Sequence, residues 1–162
     1  MKKQLLSLLL LLGLNSAFGV EFEPLNQAIA KSLGTTKASK KSTSFGGKPV
    51  ELYYAKDESG PTKLAFVEHG IYDPNCTHTW VIGLDGKSLK VTNIRVVEMS
   101  CPHAFPTREA SYLQQYTGKG PADAKTLSKS IVTIAKATGS SVLTTDAVVR
   151  SLNAATSLKG KL

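Results

Sequence analysis

The chain has 162 residues, 41% of them hydrophobic and 20% charged, with a formal net charge of +8 and two cysteines. That length suits one domain with its own core and leaves little room for a second. The basic balance brings no nucleic-acid motif with it: neither an RNA-binding sequence nor zinc-finger spacing is present, so nucleic acid is not expected as a partner.

Met1-Lys2-Lys3 followed by the leucine-rich run Leu5 to Leu14 and the small-residue end Ala17-Phe18-Gly19 reads as a cleaved signal peptide over residues 1–19. No later apolar run approaches the ~20 residues of a membrane-spanning helix. The expected location is outside the cytoplasm, in a bacterial periplasm. Residues 20–48 are expected to hold an N-terminal helix and a basic connector. Leu25, Ala28, Ile29 and Leu33 share one helical face, and Gly34 is placed to stop it. Thr35 to Gly47 is rich in Ser, Thr, Gly and Lys and reads as a solvated loop.

Residues 49–157 form the expected domain, with 158–162 as a tail. Val50 to Tyr54 and Lys63 to Glu68 read as strands joined through Asp57-Glu-Ser-Gly-Pro61. Thr77 to Leu84 and Lys87 to Val97 are two more, joined at Asp85-Gly86, a strong hairpin signal. A helix is expected from Arg108 to about Tyr116, capped by Thr107, with Ala110, Leu113 and Tyr116 facing inward. Next come a break at Gly118-Lys-Gly-Pro121, a short strand at Ser130 to Ile134 and a hydroxyl-rich turn, with Thr144, Thr145 and Asp146 as candidate helix caps. The fold class is therefore α+β: an antiparallel meander sheet with helices packed on it.

Two short motifs carry candidate chemistry. Cys76-Thr-His78 and Cys101-Pro-His103 supply two thiols and two imidazoles, which would complete a tetrahedral zinc site. In an oxidising compartment the same cysteines suit a disulfide. A two-residue turn at Asp85-Gly86 would set Cys76 opposite Arg95 and leave Cys101 roughly 20 Å further along a straight strand. A bridge would then need the chain to fold back between Ser100 and Pro106. The second motif is Thr138-Gly139-Ser140-Ser141 with Thr144 and Thr145, hydroxyls and one glycine at a helix start, where free N–H groups suit a phosphate.

In order and spacing these pieces, from about Val50 to Leu152, resemble the FMN-binding domain family. That family comprises exported flavin modules such as those in the C subunit of the sodium-pumping NADH:quinone reductase and the G subunit of Rnf complexes. The resemblance rests on Tyr53-Tyr-Ala-Lys-Asp-Glu-Ser-Gly60, Val81-Ile-Gly-Leu-Asp-Gly86, Val96-Val-Glu98, Tyr112-Leu-Gln-Gln-Tyr-Thr-Gly-Lys119 and the hydroxyl-rich turn. It implies FMN as cofactor, electron transfer rather than catalysis, and redox partner proteins, with a membrane complex among them. The family turn reads Asp-x-x-Ser/Thr-Gly-Ala-Thr/Ser-x-Ser/Thr, and a flavin transferase commonly esterifies its second Thr/Ser to the FMN phosphate. Aligned on Gly139, that residue is Ser141, with Ala135 in the aspartate position and Ser140 in the alanine position. Aligned back from Ala147-Val148, it is Val142. The alternative expectation is a diverged module of the same fold, serving in metal binding, thiol redox chemistry or docking through Cys76, His78, Cys101 and His103.

Overall fold

The computed structural model describes residues 21–72 and 75–162; the expected signal peptide lies outside the described residues. Five strands, β1 (Ser39–Phe45), β2 (Lys48–Asp57), β3 (Gly60–Tyr72), β4 (Cys76–Asp85) and β5 (Val91–Met99), form one antiparallel sheet in sequence order. Helix α1 (Leu25–Leu33) precedes it and ends at Gly34, whose φ of 70° provides the left-handed stop expected from the sequence. After the sheet come a 3-10 segment (Pro102–Arg108), α2 (Ala110–Leu113), α3 (Leu127–Ser130) and the long α4 (Thr138–Leu158). The α+β meander is thus the observed architecture.

Strand alternation gives the sheet two apolar faces. Leu52, Leu64, Phe66, Trp80, Ile82 and Leu84 project toward α4 and bury Ala147, Val148, Leu152 and Ala155 against them. Ala65, Val67 and Val81 point the other way and receive Ala28, Ile29 and Leu33 of α1. The same alternation sends Cys76 and His78 to the α4 side of β4, four and two residues before Trp80. Glu68 on β3 also faces α4 and pairs with Arg150 at 2.9 Å. No helix among the described residues is long and apolar enough to cross a membrane.

Four expectations are corrected. The segment read as a connector contains β1, whose residues alternate between half-buried and exposed along the sheet edge and pair with β2 from Ser39↔Tyr54 to Phe45↔Lys48. Ser130 to Ile134 is no strand: it leaves α3 as irregular chain, with Val132 73% exposed, and it joins none of the five strands of the sheet. The expected helix from Arg108 to Tyr116 is broken into 3-10 turns around α2, and it buries Tyr112 and Tyr116 while Ala110 is exposed. Thr107 lies within the preceding 3-10 segment and donates to Ala104 O rather than capping a helix.

The fourth correction concerns register. Asp85-Gly86 does not close a two-residue turn. A loop of residues 86–90 joins β4 to β5, Leu84 pairs with Val91, and bulges shift the ladder near Trp80 and Gly83. Asp85 Oδ1 holds this loop by accepting from Lys87 N, Ser88 N and Ser88 Oγ. Gly86 is needed for contact, since a Cβ there would lie 2.2 Å from the carbonyl oxygen of Pro61. The longer loop slides β5 along β4, so that His78 pairs with Met99. Cys101 therefore arrives beside Cys76 instead of a strand length away.

Candidate functional site

Cys76 and Cys101 form a disulfide, with Cα atoms 5.3 Å apart, closing a sequence separation of 25 residues. The bridge ties the start of β4 to the chain leaving β5. It lines a cavity of about 680 Å³ together with Tyr72, His103 and the first turn of α4. The structure thus brings both sequence motifs to one place: Cys76, Cys101, His103, Thr138, Gly139 and Ser140 all border the cavity. No carboxylate does among the described residues, while Lys136 and His103 bring basic side chains to it.

The first turn of α4 is built by a tight reversal. Ala137 N donates to Ile134 O at 3.0 Å, and Lys136, the third residue of that turn, takes φ +66°. The helix begins at Thr138, six residues before the expected Thr144. Ala137 provides no side-chain cap, and the N–H groups of Thr138, Gly139 and Ser140 have no protein acceptor among the described residues. An uncapped end of a 21-residue helix therefore opens on a cavity that no carboxylate borders among the described residues. Tyr72 closes over it so tightly that a Cβ on Gly139 would lie 2.2 Å from the tyrosine ring.

The remaining hydroxyls of the expected site point into the protein. Ser141 is fully buried; its Oγ donates to Ala137 O at 3.0 Å and accepts from Ile134 N at 3.1 Å, fastening the reversal to the helix. Thr144 and Thr145 are buried and donate to Ser140 O and Ser141 O at 2.9 and 3.0 Å. Thr145 Oγ1 also lies 2.8 Å from the Tyr116 hydroxyl, a buried phenol whose pKa is pushed up chiefly by desolvation. These three side chains hold the helix rather than the cavity.

His78 lies beneath the cavity wall, 1% exposed and stacked on Trp80 with ring centroids 5.2 Å apart. Its Nδ1 is 3.1 Å from Cys76 O, which can only accept, so Nδ1 carries the hydrogen. Nε2 then offers a lone pair to the Ser140 hydroxyl at 3.0 Å and lies 3.9 Å from Cys76 Sγ. Burial pushes the His78 pKa down, outweighing its bond to Cys76 O and the Glu98 charge, and favours this neutral tautomer. Donor atoms of Cys76, His78 and Cys101 fall within 4.8 Å of one another, a set a metal could use only with the bridge reduced. His103 is exposed on the cavity rim.

Sequence reasoning missed Lys136 and Tyr72. Left-handed backbone is ordinarily marked by glycine or asparagine, and a lysine carries no such signal. Comparison with known proteins adds no assignment: no protein-family profile matches the chain, and no curated protein matches it.

Proposed function

We propose that the protein is an exported FMN-binding module that carries electrons between redox partner proteins, with the flavin phosphate seated on the first turn of α4. The observation that carries this reading is the positive-φ residue Lys136 followed by Ala137 and Thr138 at an uncapped helix end. The family turn places a glycine, the residue most tolerant of positive φ, directly before the alanine and the hydroxyl residue that meets the phosphate. Setting Lys136 on that glycine matches Ala137, Thr138 and Ser140 to the pattern and leaves Val132, Ala135 and Lys136 as departures. Thr138, exposed at the cavity, then replaces the buried Ser141 as the phosphate-contacting hydroxyl.

The residues present fit the group. Three N–H groups without an acceptor among the described residues, the Thr138 hydroxyl and the Lys136 ammonium can serve a phosphate dianion, and the helix end adds about half a positive charge. A volume of about 680 Å³ lies within the range of small-molecule sites. When bound, FMN supplies the electron transfer, while the protein binds the phosphate and limits access of water.

The test is a fluorescence titration with FMN and with riboflavin, which lacks the phosphate. Wild type is expected to prefer FMN by roughly 10-fold or more, the worth of one or two charge-assisted hydrogen bonds. Thr138→Val should reduce that preference. Protein made alongside a flavin transferase should carry any denaturation-resistant flavin on Thr138. Equal affinity for FMN and riboflavin, or no binding of either, would overturn the reading.

A further inference from the structure

We propose that the Cys76–Cys101 bridge is a redox-active disulfide, reduced through the cavity by an external dithiol. Three observations separate it from a bridge that serves only as a staple. Both cysteines border an open cavity, with Cys101 half-buried and Cys76 8% exposed. The uncapped end of α4 and Lys136 border that cavity too, an electropositive setting that favours thiolate. The Nε2 lone pair of His78 stands 3.9 Å from Cys76 Sγ, held there by the Nδ1 bond to Cys76 O and the Ser140 hydroxyl.

The more open sulfur, Cys101 Sγ, receives the attack. A thiolate of the dithiol forms a bond to Cys101 Sγ as the Cys76–Cys101 bond breaks, and Cys76 leaves as thiolate with the electron pair. Cys76 takes a proton from solvent, and its S–H then faces His78 Nε2. The second thiol of the reductant loses its proton and attacks the mixed disulfide, and Cys101 departs and is protonated. One bridge and one dithiol become two cysteine thiols and one new disulfide, a transfer of two electrons and two protons. His78 acts as a positioning residue: Nδ1 donates to Cys76 O, and Nε2 stands ready to accept from the Cys76 S–H once that sulfur is protonated. The flavin plays no part, so this inference stands apart from the proposed function.

The experiment uses the full exported chain free of flavin and in native buffer, with dithiothreitol as the dithiol. Thiols are trapped by alkylation and counted by mass, and circular dichroism follows the fold. Reduction is expected to be reversible, to leave the fold intact, and to rise in proportion to dithiothreitol concentration. Glutathione, a monothiol, should trap its adduct on Cys101 rather than Cys76. His78→Phe removes the acceptor that the Cys76 S–H faces and should lower the reduced fraction at equilibrium with dithiothreitol several-fold; if that variant fails to fold, Ser140→Ala, which frees Nε2 from its hydroxyl partner, should raise that fraction. Reduction that requires denaturant, or whose rate is independent of dithiothreitol concentration, would show that the bridge opens only on unfolding and overturn the proposal. Because no flavin is present, neither result bears on FMN binding.

Discussion

Replacing Lys136 by glycine tests the turn that carries the functional reading. Lys136 holds φ +66° with an exposed side chain, so its Cβ bears the left-handed strain while its own packing offsets little. A non-glycine residue in that region costs roughly 1–2 kcal/mol. Glycine removes that cost but gains freedom in the unfolded chain worth about 0.4–1 kcal/mol. The net expectation is a stabilisation of about 0.5–1 kcal/mol, read as a shift in urea midpoint at constant slope. Lys136→Ala, which keeps the Cβ, should show no such gain. A glycine variant equal to or less stable than wild type would refute the assignment of Lys136 to the family's glycine position. FMN affinity supplies a second readout, because both variants remove the same ammonium and should weaken binding alike.

Three further outcomes follow from the fold. Gly86→Ala should destabilise by about 2–3 kcal/mol in equilibrium denaturation, since its Cβ meets the Pro61 backbone rather than a movable side chain. Arg150→Met should cost roughly 2–3 kcal/mol by leaving Glu68 buried beside Ser151 alone, less than for a fully buried pair because Arg150 is 28% exposed. Burial already holds the Glu68 pKa above 4.5 against the pull of Arg150; that cost is absent below pH 4.5 and grows as pH rises through the raised value. The Arg150→Met deficit should therefore shrink in acid. Asp85 is the opposite case: its bonds from Ser88, then Lys87, hold its carboxyl below 3.8. It stabilises above that pH and loses its contribution as pH falls through the lowered value, so Asp85→Asn should lose less stability than wild type between about pH 4 and 2, measured by denaturation at each pH.

The meander was legible because β2 to β5 carry apolar and β-branched runs, and α1 because its apolar stripe ends at Gly34. β1 was not: Ser-Lys-Lys-Ser-Thr-Ser-Phe buries little, and its place comes from pairing with β2, a tertiary cause. Ser130 to Ile134 misled in the other direction, since β-branched residues make a strand only where an edge awaits them. The start of α4 was read too late because Ser and Thr usually mark loops and caps. Here Ser141, Thr144 and Thr145 satisfy their hydroxyls on carbonyls four residues back, and the helix accommodates them. The residues of both motifs were legible, but their meeting was not. It depends on the loop of residues 86–90, which sets the β4–β5 register, and on Glu68 and Arg150, which join β3 to α4.

The most direct measurement is a titration of isotope-labelled protein with FMN, following the backbone amides by nuclear magnetic resonance. If the phosphate sits on the open end of α4, the amides of Thr138, Gly139 and Ser140, which lack acceptors among the described residues, should move furthest, and riboflavin should leave them nearly still. Saturable FMN binding that leaves these three amides unmoved, or no binding at all, would contradict the account.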